Sequence, residues 1–156
     1  MKKSTWILIV CLIGLGGFLP AQRSSGFHFL NPEDRTTTIP IEVHNNLILI
    51  EVSINGSFPF KFILDTGVRT TLLTEPVLAR VMSMQNTVPI RVLGLGEGEV
   101  IHAKKAFGLR MQVGSVVGEN LQMIILPDGA VSYSGMFGKP VVGIIGYDFF
   151  KSFILN

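Results

Sequence analysis

The stretch Phe60-Lys61-Phe62-Ile63-Leu64-Asp65-Thr66-Gly67-Val68 is an apolar segment that runs directly into a carboxylate, a hydroxyl and a glycine. Four of the five residues before Asp65 are apolar, which predicts a core strand that ends at the acid. An ionised carboxylate is costly to remove from water unless it is paired or hydrogen-bonded, so a buried acid here needs a structural or functional reason. Gly67 permits a tight turn after it. Asp65 is therefore the candidate catalytic residue.

The tripeptide Asp65-Thr66-Gly67 has two interpretations when it is taken alone. It is either an ordinary exit from a strand into a turn, with an Asx-type hydrogen bond, or a catalytic loop. The neighbouring segments favour the second. Asn55-Gly56 predicts a hairpin between strands over 47–54 and 58–64. A later apolar segment ends in Gly143-Ile144-Ile145-Gly146-Tyr147-Asp148.

In this order of segments the chain resembles the retropepsin-like aspartic proteases, and more narrowly their bacterial secreted relatives, from about Leu47 to Asn156. The resemblance implies a mostly β fold, a single-lobed closed β-barrel of the acid protease type with one or two short helices. It also implies aspartic endopeptidase activity. In such a site a water lies between two carboxylates that share one proton.

The chain contains one copy of the motif, because no other aspartate is followed by Thr-Gly or Ser-Gly. By resemblance, the active unit is then a homodimer with one Asp65 from each chain. Thr66 would join the two catalytic loops through hydroxyl-to-backbone hydrogen bonds across the two-fold axis. Gly67 would let the backbone approach the site.

The resemblance gives roles to two further segments. The flap that closes over a bound peptide and excludes water corresponds to a glycine-rich hairpin tip, formed by Gly94, Leu95, Gly96, Glu97 and Gly98. The element that packs beneath the catalytic loop corresponds to Gly143, Ile144, Ile145 and Gly146. A plain β-turn is the alternative for the flap segment, whereas a dinucleotide loop is rejected because Glu99 and a β-like segment follow. Asp148 is interpreted as a first-turn helix residue rather than a catalyst.

Two features depart from the family pattern. Val68 and Arg69 follow Gly67, where Ala or Ser is usual, and Arg69 either disturbs proton sharing or pairs at the surface. The chain ends at Asn156, where relatives continue with a further strand, so a C-terminal truncation of the domain over 39–156 is left open.

The N-terminus predicts export. Met1-Lys2-Lys3 is basic, residues 6–19 are uncharged and largely apolar, and Ala21 offers a small residue for cleavage. We interpret 1–22 as a signal peptide and 23–38, which show no periodicity, as a flexible linker. The expected location is periplasmic or extracellular. An uncleaved N-terminal membrane anchor is the alternative.

Composition limits the chemistry of the remaining chain. About 135 residues would follow the leader, enough for one domain with a sizeable core. They contain no cysteine, since Cys11 lies in the leader, so disulfides, thiol catalysis and thiolate metal sites are excluded there. His28, His44 and His102 fall at no metal-ligand spacing, and neither a metal nor another cofactor is predicted.

The expected partners are a peptide or protein substrate and a second copy of the chain. The formal charge of +2 owes much to the two leader lysines, so nucleic acid binding is not indicated. A membrane partner is expected only if the leader persists. The alternative function is a non-catalytic β-barrel of the same fold that binds peptides or another exported protein.

Other patterns predict the remaining elements. Thr74-Glu75-Pro76 predicts the start of a short helix that runs to about Met82. Alternating apolar residues predict strands, over 88–93, 100–103, 109–113 and 121–125, with a turn over 114–120. Residues 128–139 form a loop without an assigned function, and 147–153 an amphipathic helix. The alternation of Phe58, Phe60 and Phe62 predicts a core face.

Overall fold

The computed structural model describes residues 25–93 and 100–153. The predicted signal peptide and the predicted flap tip at 94–98 lie outside these residues. Within them, no helix is long and apolar enough to cross a membrane. The strands are β1 (Gly26–Phe29), β2 (Glu42–His44), β3 (Leu47–Ile54), β4 (Phe60–Leu64), β5 (Leu72–Leu73), β6 (Thr87–Leu93), β7 (Val100–Val113), β8 (Val116–Ile125) and β9 (Val141–Ile145). The one-turn helices are α1 (Leu78–Val81), α2 (Ser134–Phe137) and α3 (Tyr147–Phe150).

Six of the strands close into a barrel. In the ring, β3 pairs with β4 and β7, β7 with β8, β8 with β5, β5 with β9, and β9 with β4. The strands β1, β2 and β6 extend the sheet beyond the ring by pairing with β8, β3 and β7. Closure leaves few unpaired backbone groups at sheet edges. The mostly β, closed-barrel fold expected from the sequence is therefore confirmed.

The barrel interior holds the main hydrophobic core. Its fully buried side chains come from all six barrel strands and include Val52, Phe62, Leu73, Met111, Met123 and Ile145. Each such side chain contributes about 1.5–3 kcal/mol relative to exposure. A second, smaller cluster lies between α2 and the strands β3, β4 and β9, and consists of Leu49, Ile63, Phe137, Val141 and Ile144. Because β9 is buried on both faces, it is a continuous apolar run rather than an alternating one.

The predicted linker over 23–38 is wrong for residues Gly26–Phe29, which form β1 against β8. Phe27 is only 7% exposed, and its ring meets the ring of Phe149 edge-on with a centroid distance of 5.1 Å. Gly118 makes room for it, since a Cβ there would lie 2.8 Å from the Phe27 ring. The turn predicted over 114–120 is therefore shorter, because Gly118 already belongs to β8.

Two other local predictions are wrong. Thr74 does not cap a helix: its N–H donates to the carbonyl of Val142 at 2.8 Å, which keeps it on the sheet, and α1 begins only at Leu78. Phe58 does not join the core, because β4 starts at Phe60 and leaves the Phe58 side chain 83% exposed.

Candidate active site

Asp65 directly follows β4, which runs parallel to β9 with Leu64 opposite Ile145. The backbone N–H of Asp65 donates to the carbonyl of Ile145 at 3.1 Å. Parallel strands end at the same edge of a sheet. The two strands therefore bring Asp65 and Gly146 together at one end of the barrel, as the family pattern requires.

The Asp65 carboxylate is oriented by its own loop. Its Oδ1 accepts a hydrogen bond from the Gly67 N–H at 2.7 Å, the Asx-type bond that the sequence left as one interpretation. A Cβ at Gly67 would lie only 3.1 Å from the same oxygen, so a side chain here would crowd the carboxylate. Within the described parts of the chain, no donor reaches Oδ2. One carboxylate oxygen is thus fixed by the backbone, and the other is available to a water or a substrate.

Asp65, Thr66 and Gly67 are all exposed. The acid expected to be buried at the end of its strand is therefore open to solvent in a single chain, because the loop projects beyond the last buried residue of β4, Ile63. Arg69 is also exposed, and among residues 25–93 and 100–153 the Asp65 carboxylate forms no ion pair. A second surface would have to cover this loop before the carboxylate could work in a water-poor site.

The segment Gly143-Ile144-Ile145-Gly146 lies directly against the backbone that follows Asp65. A Cβ at Gly143 would lie 2.1 Å from the carbonyl oxygen of Leu72, and one at Gly146 would lie 2.2 Å from that of Val68. Both isoleucines are buried. Only glycine allows this approach of two backbones, so Gly143 lets β5 lie against β9 and Gly146 lets the loop after Asp65 lie against the end of β9.

Of the predicted flap, only the flanking strands are described. Gly94, Leu95, Gly96, Glu97 and Gly98 lie outside the described residues, and their role stays a prediction. Strands β6 and β7 are antiparallel, from Thr87 opposite Ala106 to Leu93 opposite Val100. The two strands that would flank a flap are therefore paired.

Tyr133 is a residue near Asp65 that the sequence did not reveal. It lies in the loop that was left unassigned, at the N-cap of α2, and packs partly buried against the smaller hydrophobic cluster. Burial raises the pKa of the Tyr133 phenol, and the nearby Asp65 carboxylate raises it further. The phenol is thus a protonated hydrogen-bond donor on the Asp65 side of the barrel. The only sequence signal for this residue is that a single tyrosine lies among glycines and serines before a buried strand.

Ion pairs connect the loop that carries Tyr133 to the barrel. Glu42 in β2 accepts hydrogen bonds from both Lys61 and Lys139, which joins β2, β4 and the residues that lead into β9.

Asp148 lies in the first turn of α3, and its carboxylate pairs with the ammonium of Lys151 at 2.6 Å. Among the described residues it forms no hydrogen bond with Asp65. In the described ranges, no three His, Cys, Asp or Glu side chains group closely enough to hold a metal ion.

In a comparison with protein-family models, residues 50–149 match the family described as aspartyl protease. The match runs from β3 into α3 and includes both the Asp65 loop and Gly143–Gly146. A comparison with curated proteins found no match.

Proposed function

Because the chain belongs to the aspartyl protease family, we propose that it is an aspartic endopeptidase whose active unit is a homodimer with one Asp65 from each chain. The observation that carries this proposal is the single Asp-Thr-Gly loop, ordered by its own backbone and exposed at the end of the barrel. One carboxylate is half of the catalytic pair. A second copy of the same loop would supply the other half and cover the exposed one.

The chemistry follows from two carboxylates that face each other across the two-fold axis. Two negative charges so close are costly, so the pair holds one proton between them. The ionised carboxylate takes a proton from a bound water, whose oxygen attacks the carbonyl carbon of the peptide bond. The protonated carboxyl gives its proton to the carbonyl oxygen. When the tetrahedral intermediate collapses, the amide nitrogen takes a proton and the C–N bond breaks.

The dimer would also exclude water from the site. Thr66 is exposed beside Asp65, where its hydroxyl is available for a hydrogen bond with the partner loop. The hairpin of β6 and β7 would place Gly94–Gly98 over a bound extended peptide. Electrostatic interactions strengthen when water leaves. Because a hairpin can close over an extended chain, the proposed substrate is an extended segment of a peptide or protein.

A second candidate function rests on the hydrogen bond from the Gly67 N–H to Oδ1 of Asp65. That bond would by itself explain why an aspartate stands at position 65, as an acceptor that stabilises the loop. The barrel would then bind peptides without cutting them. The two functions differ in whether the charge of Asp65 is needed.

The substitution Asp65→Asn separates the two functions. The amide is nearly isosteric and its oxygen still accepts the Gly67 N–H, but it cannot act as the base. We expect the variant to fold and to lose hydrolysis of a peptide library. The matched control is Asp148→Asn, which removes only the pair with Lys151 and should keep activity. Full turnover by folded Asp65→Asn would remove Asp65 from the mechanism, whereas peptide binding without cleavage by the wild type would favour the second function.

We also propose that the protein is exported and that residues 1–22 are removed. The basic start and the apolar run of the leader support this. The N-terminal residue of the protein recovered from cells decides it. Recovery of the intact Met1 in the membrane fraction would favour the anchored form.

A further inference from the structure

A cavity of about 650 Å³ is lined by residues of α1 and its flanks, of the first part of β7 and of the end of β8. Its lining contains neither Asp65, nor Tyr133, nor any residue of Gly143–Gly146. The cavity is therefore separate from the candidate active site. Its volume falls within the range of small-molecule sites.

The floor of the cavity is apolar and belongs to the core. Met84, Ala103, Ile125 and Leu126 line it, and each is between 5% and 8% exposed. These side chains come from the segment after α1, from β7 and from the end of β8, so the floor is built from separate parts of the fold. Such a surface favours a hydrocarbon chain, because covering it removes apolar area from water.

The rim of the cavity carries two cationic side chains, those of Arg80 and Lys104. Arg80, His102 and Lys104 line it and are exposed, and none of them forms an ion pair within residues 25–93 and 100–153. Arg91 is the cross-strand partner of His102, so its side chain is on the same face of the hairpin and adds positive charge.

Among the residues that the structure describes, no carboxylate lines the cavity. The nearest acids in sequence, Glu75 and Asp128, each precede or follow a proline that does line it, Pro76 or Pro127. Among the lining residues, a ligand head would therefore meet the cations Arg80 and Lys104 and no acid. Guanidinium and ammonium groups together suit a carboxylate, the first through a forked pair of hydrogen bonds and the second as a point charge.

We propose that this cavity binds a free amphipathic anion, a carboxylate with an unbranched apolar chain, of the kind that fatty acids represent. The head lies between Arg80 and Lys104, and the chain covers Met84 and Ile125. The site uses neither Asp65 nor its loop and would add a lipid-like ligand to the chemistry of this protein.

The test mixes purified protein with dodecanoate below its critical micelle concentration. Calorimetry measures the affinity, and changes in the backbone amide NMR shifts locate the bound ligand. Binding should shift the amides of Ala79 and Ala103. Affinity should rise about threefold to fourfold for each methylene added from hexanoate upward. Dodecanol, which lacks the charge, should bind about tenfold more weakly or worse.

The variant Arg80→Gln/Lys104→Gln should lose about tenfold or more in dodecanoate affinity. The matched control is Lys105→Gln, which removes a cation from the next position on β7, where its ammonium lies 5.4 Å from the centroid of the Phe107 ring and does not line the cavity. Equal affinity of all three proteins for dodecanoate, or shifts at amides elsewhere, would overturn the proposal. Sedimentation with anionic phosphatidylglycerol vesicles, without binding of monomeric dodecanoate, would also overturn it and point to a membrane surface.

Discussion

A methyl group on Gly146 would lie 2.2 Å from the carbonyl oxygen of Val68, well inside any allowed contact. The same carbonyl accepts a hydrogen bond from the N–H of Tyr147 at 2.7 Å. The exit of β9 thus touches the backbone that follows Asp65, and the position of the Asp65 loop depends on the absence of a side chain at Gly146.

We expect Gly146→Ala to lower the free energy of unfolding by about 1–3 kcal/mol, as overpacking does in cores. Peptidase activity should fall more than stability predicts, because the loop must move away from β9. Denaturant unfolding and kcat/KM measure the two effects. The control is Gly135→Ala in α2, where a Cβ would meet nothing within 4 Å. Wild-type stability and activity in Gly146→Ala would contradict the prediction and show that the loop can accommodate the methyl group without cost.

The proximity of Tyr133 to Asp65 can be measured by titration. The chain has two tyrosines, so in Tyr147→Phe the phenolate absorbance reports Tyr133 alone. Its pKa should lie above the ordinary value of 10.0 because burial raises it and the Asp65 carboxylate adds to the rise. Adding Asp65→Asn should lower this pKa only in part, since burial is the larger cause. If the Tyr133 titration midpoint does not change when Asp65→Asn is added, the Asp65 carboxylate does not act on the Tyr133 phenol.

The same shift predicts how stability depends on pH. The folded state keeps the Tyr133 proton to a higher pH than the unfolded chain does, so this residue favours folding below pH 10. The contribution is lost as pH rises above 10 through the folded pKa. Tyr133→Phe should therefore reduce the alkaline loss of stability in thermal unfolding between pH 9 and 11, an interval of about one unit on either side of the ordinary value.

The parts of the fold that are local in sequence were predictable. Asn55 and Gly56 both have positive φ, as their hairpin signal requires, and β3 and β4 follow on either side. The family resemblance placed Gly143–Gly146 beneath the Asp65 loop, but the parallel pairing of β4 with β9 was not predicted, because no local pattern shows which distant strands pair. That pairing is what brings Gly146 to Asp65.

The errors share a physical cause, which is that tertiary contacts override local signals. Thr74 has the residue type of a helix cap, but a hydrogen bond to Val142 holds its backbone on the sheet. Gly118 suggests a turn, but it is a strand residue that makes space for Phe27. Tyr133 carries no periodicity, and its relation to Asp65 exists only once the barrel has closed.

The packing of β1 gives a prediction about stability. Phe27→Ala should lower the free energy of unfolding by about 3–5 kcal/mol, because it removes a buried ring that contacts Phe149 and leaves a cavity over Gly118. The control is Phe58→Ala, since that ring is 83% exposed and should change stability little. Chemical denaturation of both variants checks this. Equal effects would mean that β1 adds nothing to the core.

If the catalytic pair is shared as proposed, one Asp-Thr-Gly motif per chain makes activity depend on association. In the dilute regime the amount of dimer scales with the square of the total chain, so a twofold dilution should lower the rate about fourfold. Initial rates over a wide range of protein concentration, with sedimentation velocity at the same concentrations, measure this. The rate should become linear in concentration only where the dimer predominates.

Mixed dimers provide a sharper form of the same prediction. A folded Asp65→Asn chain in excess should suppress wild-type activity, because each mixed pair holds one carboxylate instead of two and cannot share a proton. Excess Asp148→Asn should not suppress it, since that variant keeps Asp65 and loses only a surface ion pair with Lys151. At the lowest wild-type concentrations, excess Asp148→Asn should even raise the rate by supplying competent partners. A rate strictly linear in concentration, from a particle of monomer size that excess Asp65→Asn leaves unaffected, would rule out a catalytic site shared by two chains.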